Sequence, residues 1–543
     1  MNLTTTRAEQ LQSRLDDMHA GDIHGALGTI ARDDLAPRRN WGARLRTFLA
    51  ILGPGLIVMV GDNDAGAFGT YAQAGQNYGT TLLWTLLLLV PVLYVNQEMV
   101  LRLGVVSGVG HARLILERFG KFWGAFSVID LFLLNALTIV TEFIGIGLAA
   151  DYLGLPKVGA VGIAALGVML IAGTGDFRRF ERFSVALCLV SLLLVPVFAL
   201  DHPPLRQSLH DLIVPGLPKG AELSTVMLLI IAIIGTTIAP WQLFFQQSYV
   251  IDKRITPRFL DYERVDLAVG IVFVMIGAVA LMALAAATFA GRAEFGNFTD
   301  AGAVAAGIGR HVGRLPGVMF AIALIDASVI GAAAVSLSTA YAVGDVLSFH
   351  HSLHRKVSDA PVFYAVYAGL IAIAAALVAL PGAPLGLLTN AVQTLAGVLL
   401  PSATVFLLLL SNDRAVLGPW ANTRRVNVFT SVVIAMMVIL SIILVLSVLF
   451  PAIGSTHILA ILGIGGVLAA MAGAWTAFAP TGSGGAPIDR GDRATWRMPP
   501  LAQLPPARLT LQNRIWLFAL RAYLIVAVAL VVVRVTQLTL HGS

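Results

Sequence analysis

Two short polar, helix-breaking stretches stand inside runs that are otherwise apolar. The first is Gly61-Asp62-Asn63-Asp64-Ala65-Gly66; the second is Gly235-Thr236-Thr237-Ile238-Ala239-Pro240-Trp241. A carboxylate surrounded by hydrocarbon costs roughly 2.5–3.5 kcal/mol, so Asp62 and Asp64 need a partner or a water-filled cavity. Two acids so close repel each other unless a cation or a proton intervenes. A broken helix also frees carbonyls, and Gly61 is placed to offer one. Oxygen ligands of this kind suit a hard cation such as Mg²⁺, Ca²⁺ or Mn²⁺. The alternative is a structural acid bonded to the amides of the break, but two acids beside two glycines exceed what a local cap needs.

In the second stretch Pro240 removes an amide donor and disturbs the carbonyl of Thr236, four residues earlier. Thr236 and Thr237 add hydroxyls and carbonyls. The alternative is a proline kink whose threonines bond back onto the helix. Paired with the first break, the stretch favours a shared site with Asp62, Asn63 and Asp64. Glu142 and Gln393 are candidates to line an aqueous path, while structural hydrogen bonds suit Asp130 and Asp326 at least as well. His350, His351 and His354 have helical metal-ligand spacing, yet they adjoin Arg355 and Lys356 and read better as a solvated face. There is no His-Glu-x-x-His pair, phosphate-binding loop or Gly-x-Ser-x-Gly elbow, so an enzyme reading has no motif and no cofactor is called for.

The elements that must position these residues follow from composition. The chain has 543 residues, 57% hydrophobic and 12% charged, with a mean hydropathy of +0.83. Soluble proteins carry about a quarter charged residues; half that leaves too little polar surface for a water-facing particle of this size. Lipid bilayer is the implied surrounding. Apolar runs of roughly 20 residues, enough to cross the hydrocarbon, recur near 47–75, 81–105, 122–150, 157–175, 183–201 and 222–250. Others lie near 264–290, 316–347, 361–381, 384–411, 427–451 and 455–479, and a thirteenth near 515–538 carries Arg521. Residues 1–46 read as a cytoplasmic tail, 427–479 as two additional spans, 480–513 as a cytoplasmic linker and 514–543 as an extra helix.

Arg and Lys cluster in alternate loops, at Arg113/Arg118/Lys121, Arg178/Arg179/Arg182, Lys253/Arg254/Arg258 and Arg355/Lys356 among others. This places the N-terminus in the cytoplasm of a multi-pass cell-membrane protein. The net charge of +6 is explained by these loops, and no basic stripe with interleaved aromatics points to a nucleic acid. The lone Cys188 excludes a disulfide framework. Matching breaks in spans one and six imply two five-span repeats of inverted topology, 47–201 and 222–411. The expected fold is therefore all-α and polytopic: a broken-helix inverted-repeat transporter with two or three further C-terminal helices, expected as a monomer.

At these residues the chain resembles the NRAMP family of divalent metal transporters, from about Gly53 to Val428. Gly53-Pro54-Gly55, Asp64-Ala65-Gly66-Ala67 and Gln73-Ala74-Gly75 are similar to the family's first span around its Asp-Pro-Gly-Asn motif. Arg102-Leu103-Gly104 with Ser107-Gly108, Thr141-Glu142-Phe143-Ile144-Gly145, and Ser411-Asn412-Asp413-Arg414 with Gly418, Ala421-Asn422 and Asn427 resemble later family segments. The resemblance implies the same broken-helix fold and metal uptake, with Asp64 at the family's metal-binding Asp and Gln393 at a Gln that helps close the site.

The departures are informative. Ala67 stands where the motif has Asn, Ala239-Pro240-Trp241 where the family has Met-Pro-His, Gln246 at a further family His, and Ile139 at an acid before Glu142. Losing the thioether leaves oxygen donors, which shifts the expectation from Mn²⁺ and Fe²⁺ toward Mg²⁺. Small residues at Ala67 and Ala239 leave room for a partly hydrated ion. The pattern resembles the divergent NRAMP-related magnesium transporters. With the His, His and Asp of the family's proton route replaced, flow driven by the membrane potential is expected, worth about 4.6 kcal/mol for a divalent ion at 100 mV. The alternatives are a proton-coupled Mn²⁺/Fe²⁺ symporter of the family type, or a solute carrier of the same fold for another cargo.

Overall fold

Each expected break coincides with residues that disfavour a continued helix, Asp62-Asn63-Asp64 at the first and Pro240 at the second. The computed structural model describes residues 16–380, 392, 401–450, 453–478, 493, 496–507 and five positions between 517 and 525. Gln393, most of the 384–400 stretch, most of the linker and most of 514–543 lie outside the described residues. A 3₁₀ turn at Asp17–His19 precedes an antiparallel hairpin, β1 (Ile23–Gly25) with β2 (Gly28–Ile30). Helices α1 to α10 follow: Trp41–Ile51, Pro54–Val60, Ala65–Tyr78, Trp84–Ser107, His111–Phe119, Lys121–Leu153, Lys157–Gly173, Phe177–Val190, Leu194–Asp201 and Leu205–Ile213. Helices α11 to α16 are Leu223–Thr237, Pro240–Asp252, Leu260–Phe289, Ala301–His311, Arg314–Leu347 and Pro361–Ala379. Pro401–Ser411 is α17, and Arg414–Leu417, Arg424–Leu449 and Ser455–Phe478 are α18 to α20.

The described residues include eight helices long and apolar enough to cross a membrane, one bent pair that qualifies jointly, and three shorter apolar helices. Outer helices show lipid their apolar side chains, as at Ile163, Leu166 and Leu170 on α7. Two boundaries differ from expectation. Helix α1 begins at Trp41, taking in Arg44 and Arg46, and turns by 51° into α2. The fifth span starts at Phe177 and carries a 3₁₀ turn at Ser191–Leu193 between α8 and α9, where Pro196 has no N–H to give the Leu192 carbonyl.

The bend between α1 and α2 rests on Gly53, whose φ of +153° is a conformation that side chains resist. A Cβ there would also lie 2.4 Å from Glu181 Oε1. Helix α2 then meets α13 backbone to backbone: a Cβ on Gly55 would stand 2.5 Å from the Leu267 nitrogen. Small residues permit such close approach in membranes. The Asp266 carboxylate accepts the Gly53, Gly55 and Leu56 amides at 3.2, 2.7 and 3.3 Å, satisfying the orphan donors of α2's first turn. Lys253 pairs with Glu181 at 2.7 Å and donates to the carbonyls of Ile51 and Leu52.

Both members of that ion pair are fully buried, so removing one strands the other. Lys253→Met is expected to cost about 3–5 kcal/mol, read as a fall in the thermal midpoint of the detergent-solubilised protein. An unchanged midpoint would mean that the pair does not hold the bend.

Candidate functional site

Helix α2 ends at Val60, and the amide of Gly61 just after it still reaches the Ile57 carbonyl at 2.9 Å. Asp62, Asn63 and Asp64 are residues whose side chains compete for backbone groups and so favour caps over helix interiors. The chain restarts at Ala65 because Asp64 caps α3, its Oδ1 accepting the Ala67 amide at 2.8 Å. The second break is two residues long. Helix α11 stops at Thr237, Ile238 and Ala239 are non-helical, and Pro240 opens α12 as its first residue. Pro240 has no N–H to give Thr236, and it biases Ala239 toward the extended conformation observed, φ −90° and ψ 140°.

The two breaks face each other. A Cβ on Gly66 would stand 3.2 Å from Asp64 Oδ1 and 3.9 Å from Thr236 Oγ1, which brings the first break to the second. A Cβ on Gly61 would be 3.5 Å from the Trp241 indole. The end of α2 thus lies by the start of α12, and the end of α11 by the start of α3; the carbonyl end of a helix carries partial negative charge that suits a cation. Asp62 is 1% exposed and Asp64 7%, which puts both acids in a water-poor setting where a cation gains most.

Gln242 donates to Asp62 Oδ1, and Asp62 Oδ2 is buried without a partner among the described residues. Asp64 Oδ1 is spent on the cap. Glu142 accepts the Ala65 amide at 3.1 Å through Oε2. Its carboxyl lies within hydrogen-bonding reach of Asp64. Gly331 on α15 makes the room they share, since a Cβ there would sit 2.9 Å from Glu142 Cδ and 3.1 Å from Asp64 Cβ.

Other expected residues take different places. Asn63 turns to α13, donating to the Val274 carbonyl at 3.1 Å, and so points away from the second break. The Thr237 hydroxyl is already engaged, donating to the Ile233 carbonyl at 2.6 Å and paired with Tyr71 Oη at 2.7 Å. Only its carbonyl is left, and Gln242 Nε2 reaches that at 3.4 Å. Thr236 and Ala239 are half-buried at the break, and Ala67 and Ile139 are fully buried. Gln246 is buried, with neither amide atom partnered among the described residues. Asp130 accepts from Ser402 at 3.3 Å, whereas both Asp326 oxygens lack a partner among the described residues.

Trp241 closes one end of the site. Its ring begins a buried aromatic column along α12, with Phe245 at 6.1 Å and Tyr249 a further 5.0 Å on between ring centroids. The column runs toward the face that carries residues 16–40. The histidines correct an expectation: His351 and His354 are not a solvated face. His351 is 1% exposed and pairs with Asp345 at 3.0 Å, and the His354 ring meets the Asp252 carbonyl at 3.1 Å. Sequence reasoning does not single out Gln242 and Tyr71, because both sit in apolar runs at positions that helical periodicity assigns to ordinary packing.

The family profile described as Natural resistance-associated macrophage protein-like matches residues 55–447. The chain is 30% identical over 397 residues to the divalent metal cation transporter MntH of Ralstonia nicotianae, covering 70% of this chain and 86% of that one. It is 24% identical over 452 residues to MntH of Chromohalobacter salexigens, covering 78% of this chain and 98% of the relative. A crystal structure of the Eremococcus coleocola manganese transporter superposes with a TM-score of 0.62 at 20% identity, covering 84% of this chain and 97% of the other. That likeness supports the all-helical fold with broken helices and additional C-terminal helices. The chain belongs to the NRAMP family, and it is a membrane transporter, not an enzyme.

Proposed function

We propose that this chain carries a divalent metal cation across the cell membrane by alternating access, binding it between the two breaks, with Mg²⁺ the preferred ion and Mn²⁺ also accepted. One observation carries this reading: two buried aspartates, one with an unpartnered oxygen among the described residues, lie where two interrupted helices face each other. Asp64 is the central ligand. Asp62 adds the second charge, and the carbonyls of Gly61, Thr236 and Thr237 complete an all-oxygen set, with Gln393 as the expected further ligand. Mg²⁺ takes oxygen ligands and keeps several waters; Ala67 and Ala239 leave space for them, and no sulfur stands at the break to favour a softer ion. Arg182, Arg254, Arg258 and Arg355 of the basic loops share one face with residues 16–36, and by the positive-inside rule that face is the cytoplasmic one. The protein acts as a monomer, driven by the membrane potential without coupled protons.

A second reading has its own observation. Asp64 and Glu142 lie close enough to share a proton, which an arriving ion would displace, as in a proton-coupled symporter. One experiment separates the two. Uptake of Mg²⁺, Mn²⁺ and Ca²⁺ into proteoliposomes is followed while internal pH is recorded. Uptake that scales with an imposed inside-negative potential, with flat internal pH, is expected. Metal-driven acidification of the lumen would select the symporter, and failure of millimolar Mg²⁺ to compete with Mn²⁺ would overturn the ion preference.

A further inference from the structure

We infer that Gln242 is a positioning residue that holds Asp62 for the ion and ties the two broken spans together; this rests on the site proposed above. Its amide orientation is set by two oxygen acceptors in front, Asp62 Oδ1 and the Thr237 carbonyl, and Gln97 Nε2 on α4 donates to Gln242 Oε1 at 3.0 Å from behind. The Gln242 nitrogen must then face the breaks. One hydrogen goes to Asp62 Oδ1 and the other toward the Thr237 carbonyl at 3.4 Å, so a single neutral group bridges the first span to the second. A lysine there would cancel the charge of Asp62. An amide pins one oxygen and leaves the full charge, through Oδ2, for a cation.

Gln242→Leu is expected to raise the KM for Mg²⁺ roughly tenfold or more, the worth of a hydrogen bond to a charged group, with little change in maximal rate. Gln97→Leu should move KM the same way by less, and Gln242→Asn should recover part of the loss. If Gln242→Leu and Gln97→Leu both keep the parent KM, the inference is overturned. Should Asp64→Ala still transport, the ion site itself is wrong; if only the Gln242 variants are silent, the site stands and this role falls.

A second, independent set of contacts lies on the opposite side of the aromatic column. We propose that residues 16–36 form a strap that locks the N-terminal face shut and must lift before an ion can pass there. The strap reaches several of the elements around the column. Asp16 accepts the His351 amide at 3.0 Å and Arg355 at 2.9 Å. His19 meets the His351 carbonyl at 3.2 Å and Asp252 at 3.6 Å. Arg254 donates to the Met18 and Asp22 carbonyls at 2.8 and 3.1 Å.

The hairpin buries Ile23, Ala26 and Ile30 and lies directly on α1, where a Cβ on Gly25 would be 1.9 Å from the Ala50 carbonyl oxygen. The Ala26 amide donates to Glu181 Oε2 at 2.5 Å, so the strap joins the same carboxylate that pairs with Lys253 at the α1–α2 bend. One segment thus ties α1, α8, the end of α12 and the loop after α15. Broken helices that move against the rest cannot part at this end while it is bound.

The strap's chemistry makes it acid-labile. Burial, the largest influence, pushes His19 down to about 4; His351 pushes the same way, and Asp252, Asp16 and Asp345 oppose it. Burial likewise lowers His354, which faces Asp252, Arg254 and His24. Burial disfavours charge on His351 too, but Asp345 overrides it and its pKa rises; Asp345 belongs to α15 and stays whether or not the strap is bound. Because His19 takes up a proton less readily in the docked strap than in a released one, docking is intact above about pH 6.5 and weakens as pH falls toward 4, by up to about tenfold per unit.

Ser248 lies under the strap, lining a small cavity with His19, Gly110, Asp345 and His351. In a Cys188→Ser background, Ser248→Cys is exposed to a water-soluble maleimide, with labelling normalised to the unfolded protein at the same pH. Arg355→Gln and His19→Ala should each speed labelling roughly tenfold while Mg²⁺ uptake persists, and the parent should label faster at pH 5 than at pH 7.5. Labelling as slow in both variants as in the parent overturns the proposal.

Discussion

Replacing Asp64 with alanine is expected to abolish uptake of every divalent ion. The loss should be at least about a hundredfold, because substitutions one shell further from a metal already cost 10–100-fold. Asp64 has two tasks, and they can be separated. Oδ1 caps α3 through the Ala67 amide, and loss of such a cap costs about 0.5–2 kcal/mol of stability. The other oxygen, with the charge, serves the ion. Asp64→Asn keeps an acceptor for the cap and removes the charge, so it should fold like the parent and transport as poorly as Asp64→Ala. If Asp64→Asn transports at the parent rate, the carboxylate is a structural cap alone.

Placing a methionine at Ala239 is expected to change which ions pass. Ala239 sits in the second break, extended and half-buried, with its side chain making no cap. Ala239→Met would bring a thioether to a site whose other donors are oxygen, and soft ligands select softer ions. It would also fill space needed by the waters that Mg²⁺ retains. Cd²⁺ and Mn²⁺ uptake should gain in apparent affinity by roughly tenfold, while Mg²⁺ loses its ability to compete at millimolar concentration. Competition curves in proteoliposomes read both effects at once. A variant with the parent's ion ranking would show that the break does not set selectivity.

The breaks are legible in the order of residues, because Gly61, the Asp62-Asn63-Asp64 run and Pro240 each act locally on the backbone. Hydropathy locates the spans for the same reason. Side-chain direction within a break is not legible. Once helical periodicity stops at Gly61, nothing in the order of residues says that Asn63 turns to Val274 while Asp64 turns to Glu142. Gln242 is hidden by its neighbours, since an amide in the run Trp241 to Phe245 looks like one polar residue on a buried helix. The strap is the least legible element of all. Asp16 and Arg355 are 339 positions apart, and a polar segment held by such distant partners has the composition of a loose tail. His351 and His354 read as solvated for the same reason: what covers them comes from the other end of the chain.

The most direct measurement is the position of a bound ion. Mn²⁺, which scatters anomalously, can be introduced into crystals of the full chain as a stand-in for Mg²⁺. One dominant anomalous peak is expected in contact with Asp64 and Asp62, flanked by the carbonyl ends of α2 and α11, and absent in Asp64→Ala. A dominant peak elsewhere, for instance beside Asp16, Asp17 and His350 on the N-terminal face, with nothing between the breaks, would contradict it.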